Sequence, residues 1–549
     1  MHAVASSRLA ALVAFGMIPL AFGQEDHAHA HGAPGSLGTV HFEVSCSPAA
    51  QKQFDRAAAL LHSFWYDEAE KEFTRVTRTD PRCAMGHWGV AMSRYHPIWT
   101  RPGTADLNAG LAAVSRARAA GGGTQREKDY IAAIAVFYTD WHRIDHLKRA
   151  VAYENAMQKV YERYPDDHEA GIFYALAILG RALPTDKTYV EQKRAAEILN
   201  RLLPLLPDHP GIAHYMIHSY DYPELASLAL PAARAYAGIA PDAPHALHMP
   251  SHIFTRLGMW EDSIRSNVAS AESAWRQIAG GDRAMGTFDQ LHAMDYLEYA
   301  YLQTGRDDEA KKVLDDLNRV SRLDQQTFQA AYAFCAIPAR YALERGKWDE
   351  AAGLEVRPAW FPWERFPWAK ANVYFARALG AARGGRVAQA RREVEQLASI
   401  HRGLALKKNA EWKERVEILR LAAAGWTARA ARKDDEALGL LSAAADLDDS
   451  IEKHPVTPGS VAPARELYAD LLLDLGRAKD ALEEYESVLR VAPKRLRATA
   501  GAARAAELAG EAARAKARYA ELLAFADKAA TRPEILAARA FLQGAPPAR

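Results

Sequence analysis

Three cysteines in 549 residues, Cys46, Cys83 and Cys335, are too few for a disulfide-built scaffold or for a cluster of thiolate ligands. No charge of one sign dominates: 69 Lys and Arg stand against 68 Asp and Glu, a formal net charge of +1. That balance offers no field to gather nucleic acid or an acidic membrane surface, so neither is expected as a partner. Alternating apolar and polar runs are nearly missing, apart from a short strand candidate at Val40 to Val44. No Gly-x-Ser-x-Gly elbow, phosphate loop, His-Glu-x-x-His pair or Cys-x-x-Cys-His haem attachment occurs, which removes the commonest hydrolase, nucleotide and c-haem signatures.

Long apolar runs are absent too, except at the start. Arg8 precedes an apolar stretch from Leu9 to Ala21, and Ala21 and Gly23 form a small-x-small cleavage pattern before Gln24. The stretch is about 13 residues against roughly 20 for a membrane span. It reads as a secretory signal, so a periplasmic or secreted protein without a membrane span is expected. In that compartment Cys46 and Cys83 could pair, or both could be buried thiols; Cys335 reads as a small core residue. A Gly-rich leader with His27, His29 and His31 follows the signal, a composition that captures metal or merely stays solvated.

What the chain has in abundance is helix in pairs. One motif recurs: Gly258 with Ser263, Gly305 with Ala310, Gly346 with Ala351, Gly385 with Ala390, Arg432 with Ala437, Gly476 with Ala481, and Gly510 with Ala515. The last two alanines are 34 residues apart. Glycine closes a first helix where a left-handed residue is needed, and the small residue lets the second helix pack close. A hairpin of this size cannot bury its apolar face alone, so hairpins stack into a solenoid with a concave wall. The pattern resembles the tetratricopeptide repeat. The stretches Leu61–Tyr66, Asp80–Gly89, Met249–Phe254 and His454–Gly459 further resemble a group of exported, uncharacterised bacterial proteins with such repeats. The resemblance implies an all-α helical-hairpin solenoid, and generically a partner protein on the concave face; it implies no reaction.

The expected organisation is a signal (1–23), a His-rich leader (24–45), N-terminal repeats (46–205), central His-rich repeats (206–300), middle repeats (301–460) and C-terminal repeats (461–549). Within the middle repeats, 357–368 packs five aromatics among three prolines, a segment that cannot be a regular helix. It is a pocket wall or a plug between repeats.

The central repeats carry the chemistry. His214, His218 and Asp221 share one face of one helix; His245, His248 and His252 share one face of the next. Packed face to face, they would converge five imidazoles and a carboxylate, a donor set for copper, zinc or iron. His292 and Asp295, one repeat on, and His62, His87 and His96, near the N-terminus, are further candidates as ligands or lining. Tyr215, Tyr220 and Tyr222 flank the set and read as packing groups. Two functions stay open at this point. One is a metal-binding protein or metal-dependent enzyme, oxidoreductase or hydrolase, acting on a small molecule. The other is a scaffold whose histidines merely line the groove.

Overall fold

A computed structural model describes residues 36–98, 101–278, 282–406 and 410–544. The signal segment and the His27–His31 leader lie outside them. Each helix packs on its successor, and the first helices of successive hairpins also stack. Phe288–Gln303 packs on Phe328–Glu344, which packs on Pro367–Arg383, which packs on Ala410–Ala430. The protein is an all-α solenoid of tetratricopeptide-type hairpins. Among the described residues the only strands are Met285–Gly286 and Arg322–Leu323, a two-residue parallel pair.

The hairpin turns show why the repeat motif reads as it does. Gly258, Gly305, Gly346, Gly385, Gly476 and Gly510 all have positive φ, and so does Arg432, at 59°. The residue after each turn position donates its N–H back into the helix just ended: Arg306 to the Tyr301 carbonyl at 2.9 Å, Lys433 to Ala428 at 3.0 Å. This is a Schellman closure, which requires a left-handed residue at the turn. The small residue five positions on is buried every time, from Ser263 to Ala515.

The strand expected at Val40 to Val44 is not one. This stretch is extended, but its amides bond side chains of the Pro48–His62 helix: Phe42 N–H to Asp55 at 3.0 Å and Val44 N–H to Gln51 at 2.8 Å. Isolated extended backbone is satisfied here by polar side chains instead of a neighbouring strand. Cys46 and Cys83 are joined in a disulfide, and Cys335 is a buried free thiol. The aromatic segment at 357–368 folds onto the repeats, with Phe361 buried against Phe334, Trp363 and Phe366. Trp360 alone among its large aromatics stays well exposed.

The apolar interior runs in successive stretches. One extends from Leu37 to Phe254, the next from Trp260 to Leu471. The histidine-bearing helices lie at the seam between them.

A candidate metal centre at the seam

The helix Pro210–Tyr220 is buried on every side, which fits its largely apolar sequence. Pro210 occupies the first turn, where a missing N–H is harmless, and His209 caps the helix by accepting from Gly211 N–H. Gly211 leaves room for His62: a Cβ there would stand 2.5 Å from His62 Nδ1. The second histidine segment is two short helices, Pro244–His248 and Pro250–Arg256, because Pro250 cannot donate to a carbonyl one turn back. His292 projects from the buried helix Phe288–Gln303.

These helices bring six buried imidazoles together. His214, His218 and His245 form one triad, and His248, His252 and His292 a second; within each, one nitrogen per ring lies within 4.8 Å of the others. The triads abut, with ring centroids 6.2 Å apart for His218 and His252 and 6.0 Å for His245 and His248. The division falls within the first short helix: His245 joins His214 and His218, while His248 pairs with His252 across the break before Pro250.

The other ring nitrogens fix the tautomers. His214 Nδ1–H donates to the His62 carbonyl at 2.7 Å. His248 Nδ1–H donates to Asn267 Oδ1 at 2.6 Å, and that orientation of the amide is set because its nitrogen donates to the Ser263 carbonyl at 2.7 Å. His252 Nδ1–H donates to Asp221 Oδ2 at 2.9 Å. With the Nδ1 hydrogens committed, the Nε2 atoms of His248 and His252 carry lone pairs, yet they face each other at 3.0 Å. No proton is left to sit between them. Adding one would make an imidazolium, which burial opposes. It lowers the pKa of every histidine in both triads, that of His214 to about 3, and neighbouring imidazoles, Lys453 and Arg256 act in the same direction on several of them. Two nitrogens bound to one ion at about 2.0–2.1 Å stand about 2.9 Å apart at a right angle and about 3.4 Å apart at a tetrahedral one. The His248–His252 spacing, and the 3.1 Å between Nε2 of His214 and of His218, fall in that interval.

A third knot has similar composition and different chemistry. His62 and His209 each place Nε2 on a separate oxygen of Glu169, at 3.0 and 2.9 Å. Their Nδ1 atoms meet the Tyr215 hydroxyl and the Gly211 N–H. Every nitrogen has a complementary partner, and the Glu169 carboxyl is held far below its usual range by the two imidazoles despite its burial. The knot is structural: it seats His62 so that its carbonyl meets His214.

The other candidates sort by position. Asp221 does not join the ligands. It caps the Pro210–Tyr220 helix, where the chain turns, and faces the back of His252, Arg256 and Lys453. Asp295 also points away; its Oδ1 lies 2.5 Å from Arg340 Nη1 in a buried network with Glu298. One turn separates it from His292, and the helix carries it to the neighbouring repeat. His87 is half-buried beside Arg116, and His96 packs 4.4 Å from Tyr66; neither belongs to a ligand-capable group among the described residues. Tyr220 and Tyr222 accept from Asn200 and Gln192.

Sequence reasoning missed the supporting groups. Asn267, Tyr296 and Lys453 carry no motif, and Asp289 lies 3.9 Å from His245 Nδ1 with its carboxyl pushed up to about 8 by burial and by Asp324 and Asp67. The turn-rich stretch after Glu452 reads as a link but walls the site. Lys453 donates to Asp221 at 3.0 Å, and the Tyr296 hydroxyl donates to the carbonyls of Pro455 and Thr457. Beyond Lys453 lies a cavity of about 100 Å³, lined in part by Tyr332, Trp368, Trp412 and Arg415.

No family model and no curated protein matches the chain. Solved structures with a similar path include the human IFIT1 dimer with m7Gppp-AAAA, at TM-score 0.39 and 12% identity, over 80% of this chain and 90% of that one. The Cut9–Hcn1 hetero-tetramer of the APC/C matches at 0.32 and 12%, over 90% and 89%. Yeast Tom70 matches at 0.30 and 11%, over 90% and 95%. The chain folds as a solenoid of tetratricopeptide-type hairpins. That statement rests on its own hairpins and Schellman turns; the site at its seam stands apart from the fold, which by itself carries no function.

Proposed function

We propose that this protein is a transition-metal protein, exported to the periplasm or beyond, whose solenoid holds two ions side by side, one on each histidine triad. The observation that carries the reading is the His248–His252 pair: two Nε2 lone pairs 3.0 Å apart with both Nδ1 hydrogens already spent. Neutral imidazoles alone favour copper or zinc; the carboxylate expected of a mononuclear iron site is missing from both triads. Three protein ligands per ion leave a position open, as in catalytic rather than structural sites. The chemistry that follows is metal-dependent action on a small molecule.

Elemental analysis of the exported protein tests this. Two equivalents of copper or zinc per chain are expected, falling to about one in His248→Ala/His252→Ala and to about one in His214→Ala/His218→Ala. Metal-free protein that refuses added copper and zinc while binding a partner protein would overturn the reading in favour of a scaffold.

A further inference from the structure

We infer that the two sites act as one coupled pair, bridged by a small anion of the hydroxide class taken from solution. The inference rests on the two-ion reading above and adds what lies between the ions. The triads touch edge to edge, with His218 against His252 and His245 against His248. Ions seated on them are therefore neighbours, and two divalent ions repel with four times the energy of a unit pair at the same distance. Six neutral imidazoles supply nothing to offset this. Most nearby carboxylates are engaged elsewhere: Asp221 with Arg256 and Lys453, Glu169 with His62 and His209, Asp295 with Arg340; Asp289, 3.9 Å from His245 Nδ1, supplies at most one negative charge against four. Lys453 and Arg256 add positive charge on the same side. An anion that occupies the open position of both ions at once would sit between the two charges, lessen their repulsion and complete both coordination shells. The ligand class follows: a small, hard, single-atom or linear bridging anion, with hydroxide as the resident and azide as its experimental surrogate.

The experiment uses the full chain loaded with copper(II), with copper content and X-ray absorption edge measured on the same sample. Two divalent coppers per chain, a paramagnetic resonance signal integrating to under a tenth of that copper, and a saturable new absorption band on adding azide are expected. In His292→Ala the copper should fall to about one and its full signal should return; His218→Ala repeats the test from the other triad, with helical circular dichroism confirming each fold. Two divalent coppers whose signals integrate to all the metal would overturn the coupling and leave the two-ion reading standing. A monovalent edge would also overturn it, because two monovalent ions need no anion between them. Less than one copper per chain would overturn both.

Discussion

Lys453 Nζ donates to Asp221 Oδ2 across 3.0 Å, joining residues 232 positions apart at the carboxylate that aims His252. The same oxygen accepts from both, and Arg256 holds the other oxygen at 2.9 Å. This carboxylate is buried with two cations and fixes one imidazole tautomer, so its removal has two separable effects.

Asp221→Ala is expected to weaken metal binding by about 10–100-fold, the usual cost of losing a hydrogen-bond partner behind a ligating histidine. It also strands two buried cations, so unfolding stability should drop by about 3–5 kcal/mol. Asn267→Leu frees His248 in the same way without uncovering charge. Its expected signature is a similar loss of affinity with a much smaller change in melting temperature; competition titration and thermal denaturation separate the two.

Asp295→Asn should leave metal content untouched, because that carboxylate answers to Arg340 and not to the histidines. Arg340→Met should cost about 3–5 kcal/mol by leaving Asp295 and Glu298 buried without their cation. Metal loss in Asp295→Asn, measured on folded protein, would contradict the placement.

The metal-free protein should be acid-labile. Burial lowers the pKa of His214, His218, His245, His248, His252 and His292 below the ordinary 6.5. Below that value the unfolded chain takes up protons that the folded chain refuses, so stability is full above pH 6.5 and falls as the pH drops toward the folded values. At pH 5 each histidine still neutral in the fold contributes a loss of about 2 kcal/mol. Denaturant midpoints between pH 7.5 and 5 check this; a flat profile would mean that the rings are not held neutral.

Two turns test the repeat. At Gly385, where φ is 74°, an added Cβ would have nothing within 4 Å, so Gly385→Ala probes backbone strain alone and should cost about 1–2 kcal/mol. Arg432 holds the equivalent place with a side chain, at φ 59°. Arg432→Gly should therefore stabilise the protein, by up to about 1 kcal/mol, as read from chemical denaturation.

Much of this is legible in the residues. The glycine-to-small-residue motif carries the hairpins because it records a local need, a left-handed turn and a close helix approach. The histidine spacings carry the inward-facing rings for the same local reason. The division into two triads is not legible, since it depends on which neighbouring helix His245 and His248, three residues apart in one short helix, each meet. Asp221 and Asp295 depart from their expected places because a helical face extrapolates poorly past a cap or across a turn: one lies where the helix ends, the other where the helix serves the next repeat. Asn267 and Lys453 leave no signal at all, because a supporting hydrogen bond demands only a polar atom in the right place.

The seam between the two apolar stretches has a consequence for how the protein matures. The second triad draws His248 and His252 from one stretch and His292 from the next, with Lys453 among its anchors, so no segment released early in synthesis holds that centre finished, whereas His214, His218 and His245 all lie in the first stretch. An ion on the second triad would be seated only after the two stretches have docked, and would then act as a rivet through the joint, slowing its opening more than any single repeat could.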